Sequence, residues 1–169
     1  MNFQHGLWTI VSTILIACTL LSCNQNSANR VPKNWSTEVT HEFPNTNWAF
    51  EEEVLEFPFE IKDTSRNYDI SVVLLYDTAV ATLKDILLAL TLSAPDGMKS
   101  LSTSHFLLDL NENPDIMMVN GYAEATVLVY PARKFKVPGT QNLTVYRRAP
   151  KADNYGFLSL TTKVKVVKK

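Results

Sequence analysis

The chain has 169 residues, of which 46% are hydrophobic and 20% charged, with a formal net charge of −1. That balance excludes a disordered polyelectrolyte and leaves enough apolar side chain for one folded domain. Two cysteines in the whole chain exclude a disulfide-rich scaffold and a four-thiolate zinc site.

In chain order, the first element is the uncharged run Leu7–Leu21, which closes on Leu20-Leu21-Ser22-Cys23. It reads as a bacterial lipoprotein signal. The run has the length of a secretory h-region. A small residue, Ser22, stands at the cleavage position, and a cysteine follows directly. A membrane-spanning helix is the competing reading, but at about 1.5 Å per residue the run reaches only about 22 Å of a hydrocarbon core about 30 Å thick. Thr9, Ser12, Thr13 and Thr19 dilute it further. Met1–Gly6 contains no Lys or Arg, so the positive flank rests on the amino terminus. Cleavage after Ser22 makes Cys23 the lipidated first residue of the mature chain. At about 0.8 kcal/mol per buried methylene, more than one acyl chain anchors stably. Cys18 leaves with the signal, so the folded body carries no thiol.

Asn24–Lys33 is polar, lacks apolar periodicity and contains Pro32, as a flexible tether does. The expected organisation is signal peptide 1–22, lipidated Cys23 and tether 23–47, and a folded domain 48–169. Within the domain, Val54–Ile61 alternates, with Phe57, Phe59 and Ile61 on one face and Glu56, Pro58 and Glu60 on the other. Pro58 cannot donate to a ladder, which marks an edge strand or a bulge. Tyr68–Tyr76 is β-branched and nearly continuous, as in a buried strand. Leu83–Ser93 has helical leucine content, but Leu88, Leu90 and Leu92 alternate and Pro95-Asp96-Gly97 supplies a turn. Leu101–Leu110 follows as its hairpin partner. Ala123–Tyr130, Leu143–Arg147 and Phe157–Val167 complete the set. The reading is all-β: an antiparallel β-sandwich of about seven to eight strands, Ig-like or jelly-roll-like.

Charge is unevenly placed along this scaffold. Cys23 to Ala132 holds six basic and sixteen acidic residues, whereas Arg133 to Lys169 holds ten basic and one acidic. An exported chain with basic residues interleaved among apolar ones makes nucleic acid a poor partner. Basic C-terminal strands lying beside acidic N-terminal ones is the simpler account. We therefore expect the strand at 54–61 to neighbour the last strand, with Glu56 and Glu60 pairing Lys163 and Lys165.

Residues that carry chemistry are sparse. His41 and His105 stand in no ligand spacing, His105 reading as a strand residue and His41 as solvated in the connecting region. No G-x-S-x-G elbow accompanies Ser, His and Asp, and Glu51-Glu52-Glu53 reads as a solvated run. Asp109-Leu110-Asn111-Glu112-Asn113-Pro114-Asp115 spaces oxygen ligands like a calcium loop. It fails at Pro114, where glycine is needed, and at Asn120, where a bidentate Glu belongs. Trp35, Phe43, Trp48 and Phe50 cluster ahead of the first confident strand. They either cap one end of the sandwich or stack on sugar rings. We expect no catalytic residue, metal, cofactor or small-molecule substrate.

Trp48 followed by FPFEIKDTSRNYDISVVLLY, then LLALTLSAPDG, then FKVPGTQNLTVYRRAP and NYGFLSLTTKVKV, resembles the gliding-motility lipoproteins of the GldH family from about Trp48 to Lys169. The family often carries a second glycine near Thr161 and a shorter, more polar connection before the third strand; this chain departs in both. The resemblance implies a non-enzymatic envelope lipoprotein, needed for gliding and linked to type IX protein secretion. Only Cys23 carries over as a functional position. The implied partners are a membrane, through the lipid, and other motility and secretion proteins. Asn24-Gln25-Asn26 after the cysteine leans toward the periplasmic face of the outer membrane. The alternative from another class is a surface glycan-binding lipoprotein with Trp35 and Trp48 as its platform.

Overall fold

The computed structural model describes residues 30–49, 54–148 and 154–167. It divides into two units, Met1–Val31 and Pro32–Lys169. Of the first, only Arg30 and Val31 are described, so the signal, Ser22 and Cys23 lie outside the described residues.

The second unit is an antiparallel β-sandwich. Its strands are β1 (Ser36–Glu42), β2 (Asn47–Trp48), β3 (Val54–Ile61), β4 (Asn67–Tyr76), β5 (Asp85–Ser93), β6 (Lys99–Leu107), β7 (Met117–Val119), β8 (Tyr122–Lys134), β9 (Gly139–Arg147), β10 (Asn154–Tyr155) and β11 (Phe157–Val166). One sheet runs β1-β11-β4-β8-β7 and the other β3-β9-β5-β6, with β10 and β2 paired beside them. Among the described residues no helix is long and apolar enough to cross a membrane.

Period-two patterning builds the core. Phe57, Phe59 and Ile61 turn inward from β3, as their alternation predicts, while Val54, Glu56, Pro58 and Glu60 stay exposed. Pro58 is tolerated because β3 is an edge strand, bonded only to β9. Ile86, Leu88, Leu90 and Leu92 bury from β5, which settles that leucine-rich segment as strand. Each such side chain stabilises by about 1.5–3 kcal/mol on burial. The β5–β6 hairpin turns at Pro95-Asp96-Gly97, with Gly97 at φ 81° and its amide donating to the Ala94 carbonyl.

Two expectations change. Residues 36–47, read as part of the tether, form β1, a 3₁₀ turn at Pro44–Thr46, and the first residue of β2. The reason is local: STEVTHE alternates, and Thr37, Val39 and His41 sit half-buried on the inner face. His41 is therefore a β1 residue edge-on to Phe43, ring centroids 5.2 Å apart, and not a solvated loop residue. Second, β3 does not neighbour the last strand. The strands beside β11 are β1 and β4, and Lys163 Nζ lies 3.7 Å from Glu38 Oε1 of β1. Glu60 instead sits 3.6 Å from Lys62. The N-terminal and C-terminal strands are neighbours, but the acid partner comes from the segment before β3.

Candidate functional site

The aromatic cluster resolves into packing. Trp48 is 0% exposed. Its indole stacks on Phe43 at 4.7 Å and meets Phe157 edge-on at 6.1 Å. Arg147 of β9 reaches across to it: Nη1 donates to the Trp48 carbonyl at 2.8 Å and Nη2 to the Ala49 carbonyl at 3.2 Å. The guanidinium carbon lies 5.4 Å from the indole centroid, inside cation–π range. A two-residue strand is thus held by a buried cation and two aromatic faces. Trp35 is half-buried and lies elsewhere, edge-on to Tyr68 at 5.8 Å. The two tryptophans belong to opposite ends of β4, one near Tyr68 and the other near Tyr76, so they form no common platform. Phe50 and Glu51-Glu52-Glu53 lie outside the described residues.

Within the 109–115 loop, Asp109 and Asn113 spend oxygens on the turn itself. Asp109 Oδ1 accepts from the Asn111 amide at 2.9 Å and from Asn111 Nδ2 at 3.1 Å, and Asn113 Oδ1 accepts from the Asp115 amide at 3.1 Å. The Asn111 amide holds the Asp109 carboxyl below the usual range. Lys84 Nζ stands 3.9 Å from Asp109 Oδ2. Among the described residues no group of three or more His, Cys, Asp or Glu gathers around a common point. His105 lies on β6 as expected, exposed, with Nε2 3.3 Å from Asp85 Oδ2. Burial pushes the hydroxyls of Tyr68 and Tyr76 up, with the Asp63 and Asp109 charges adding to it. Both donate to carbonyls, Tyr68 to Asp63 and Tyr76 to Leu108, each at 2.7 Å.

Two features remain with unused capacity. The first is the edge of the five-stranded sheet. Met117 and Met118 are 57% and 55% exposed, and Val119 and Tyr122 are exposed beside them. This hairpin turns on Asn120-Gly121, with φ 52° and 88°, the positive pair that a two-residue hairpin requires. The sequence reading missed β7, although Asn-Gly between apolar residues is the signal for it.

The second is a cleft of about 320 Å³ where the β5–β6 turn faces the segment joining β8 to β9. Ala132 has φ 46°, and its amide donates to Asp69 Oδ1 at 2.9 Å. Register shifts in β4–β8 fall here, and a bulge of this kind re-aims the next side chain. Arg133 crosses to the other sheet, where Nη2 donates to Ser100 Oγ at 2.8 Å. Tyr130 donates to the Ser100 carbonyl at 2.9 Å, and burial pushes its hydroxyl up. Gln141 of β9 lines the floor. Nothing in the sequence pattern singles out Arg133 or Gln141, because a register shift in one sheet brings them together.

No family model matches this chain, and no curated protein matches it. Solved structures do. A carbohydrate-binding module of the CBM28 type, specific for non-crystalline cellulose, is 14% identical over 76% of this chain and 71% of its own, with a TM-score of 0.40. Dimeric latent PorU from Porphyromonas gingivalis is 12% identical over 80% of this chain and 13% of that one, TM-score 0.36. Eiger TNF from S. frugiperda is 11% identical over 82% of this chain and 96% of that one, TM-score 0.39. At such identities the likeness concerns the β-sandwich fold.

Proposed function

We propose that this chain is a lipid-anchored, non-enzymatic component of the gliding-motility and type IX secretion machinery, working through contacts with other envelope proteins. In this reading Cys23 holds the chain to the outer membrane on its periplasmic face, and the sandwich is the contact module. The observation that supports it most is the apolar β7 edge. Met117, Met118 and Val119 are side chains that solvent disfavours, on β7, which pairs with β8 alone among the described residues, and Tyr122 of β8 is exposed beside them. Methionine and tyrosine are enriched where proteins meet, and an open edge strand accepts a partner's backbone. The order of the resembling segments behind Leu20-Leu21-Ser22-Cys23 supplies the machinery.

Glycan binding through Trp35 and Trp48 draws less support, since Trp48 is buried and Trp35 packs on Tyr68. The test is a clean deletion, scored for type IX cargo in the medium and for surface spreading, with wild-type complementation. Joint loss and joint restoration are expected. Unchanged secretion in the deletion would overturn the reading.

A further inference from the structure

The cleft beside Arg133 is one corner of a larger feature, the end of the sandwich at which the chain enters it. Lys165 of β11 pairs with Ser36 of β1 and with Asp69 of β4, and Lys134 of β8 pairs with Asn67. Lys99 opens β6 opposite Ser93, and the Arg133 bond to Ser100 brings that strand beside β8. Lys33 precedes Trp35, whose carbonyl accepts from the Val166 amide and whose ring meets Tyr68. Lys136 lies in the segment joining β8 to β9. Register thus gathers Lys33, Lys99, Lys134, Lys136 and Lys165 at one end, all of them exposed. None of these lysines stands within ion-pair distance of a carboxylate among the described residues.

The acids of this end are otherwise engaged. Asp63 and Glu60 lie beside Arg66 and Lys62, at 3.7 and 3.6 Å. Asp69 and Asp96 accept from the Ala132 and Met98 amides. The opposite end carries the other sign. Toward Tyr76, the acids Asp77, Asp85, Glu112, Asp115 and Glu124 outnumber the described bases Lys84, Arg147 and Arg148. The sandwich is polarised along its strands, basic where the chain enters and acidic where β7 pairs with β8.

Connectivity says which surface the basic end meets. On the lipid-anchor reading proposed above, on which this inference rests, Cys23 precedes Pro32 by nine residues. Such a segment spans at most about 32 Å fully extended, so the end that carries Lys33 stays within that reach of the lipid. β4 is ten residues long, and at about 3.3 Å per residue it sets the acidic end a further strand length away. Basic side chains gain from an anionic bilayer only within about one Debye length, about 8 Å at physiological salt. The tether therefore favours a bilayer over an acidic protein as the occupant. Met98, 54% exposed on the β5–β6 turn, adds an apolar side chain among the lysines.

We propose that the chain-entry end docks on anionic lipid headgroups, with Lys33, Lys99, Lys134, Lys136 and Lys165 against their phosphates. Docked this way, the sandwich holds the β7 edge a strand length clear of the bilayer, toward its protein partner.

Liposomes carrying the mature lipidated chain test this, made of phosphatidylcholine alone or with phosphatidylglycerol added. No cysteine follows Cys23, so Met98→Cys and Glu112→Cys place a fluorophore at the basic and acidic ends in turn, read against a headgroup-bound quencher. With phosphatidylglycerol, the probe at position 98 is expected to be quenched severalfold more than the probe at position 112. That excess is expected to shrink severalfold on phosphatidylcholine, and likewise at about 1 M salt, where the Debye length falls to about 3 Å. Lys134→Gln and Lys136→Gln are each expected to lower the ratio of docked to undocked chain about fivefold, the effect of one lysine at an anionic surface.

Flotation reads the anchor separately: the chain is expected to rise with both kinds of liposome and to stay bound in salt. Flotation with the anionic liposomes alone, reversed by salt, would remove the lipid anchor and leave the docking standing. Equal quenching at positions 98 and 112 on anionic liposomes, with flotation intact, would overturn the docking and leave the anchor. Quenching unmoved by salt or by the two lysine substitutions would overturn it too. So would binding of dissolved polyglutamate without excess quenching at position 98, which would assign the surface to an acidic protein.

Discussion

Two short elements, β2 with Trp48 and the β7–β8 hairpin with Met118, both lie toward the Tyr76 end of β4, and they are handled in opposite ways. Trp48 is enclosed by Phe43, Phe157 and the Arg147 guanidinium, and Arg147 donates to the Trp48 and Ala49 carbonyls. Met118 has one neighbouring strand among the described residues and is 55% exposed. The difference is not one of hydrophobicity, since both residues are strongly apolar. It lies in what the second sheet and the chain crossings supply around each. Trp48 works for the fold, whereas β7 leaves its apolar side chains exposed, which is what the proposed partner contact requires.

Substitutions separate the two regions, beginning with the largest effect. Trp48→Ala leaves a cavity among Phe43, Phe157 and Arg147, and should destabilise the chain by about 3–5 kcal/mol in urea unfolding. Arg147→Met keeps the stem but strips the donors from two carbonyls. A loss of about 2–3 kcal/mol is expected, and a value below about 0.5 would mean the clamp is not what holds β2. At the other element, Gly121→Ala meets no atom within 4 Å, so its cost is the backbone's alone at φ 88°. About 1 kcal/mol is expected, read as a small fall in the unfolding midpoint. Met118→Lys should leave stability within about 0.5 kcal/mol, as for an exposed position.

How much of this was legible in the sequence follows from the same contrast. Strands whose alternation is complete, such as Val54–Ile61 with Phe57, Phe59 and Ile61 inward, could be placed to the residue. The missing amide of Pro58 left an edge strand or a bulge, and the structure has the edge. Residues 36–47 were lost to the tether because β1 is only half-buried and offers no run of large apolar residues. The charge imbalance pointed to an acidic neighbour for the last strand, but the acids expected there were Glu56 and Glu60 of Val54–Ile61, and Glu38 of β1 takes that place. Trp48 was visible as one of four clustered aromatics, and only Arg147, 99 residues away, shows that it is packed and not displayed. The Arg133–Gln141 cleft depends on register shifts between β4 and β8, which no residue pattern announces.

The central claim is that the β7 edge serves a partner while the fold stands without it. The direct test is the double substitution Met117→Lys with Met118→Lys, introduced into the deletion strain and followed by the amount of type IX cargo in the medium. The account predicts normal protein level and unfolding midpoint with a deletion-like fall in secreted cargo and spreading. Full secretion from a normally folded double variant would contradict it.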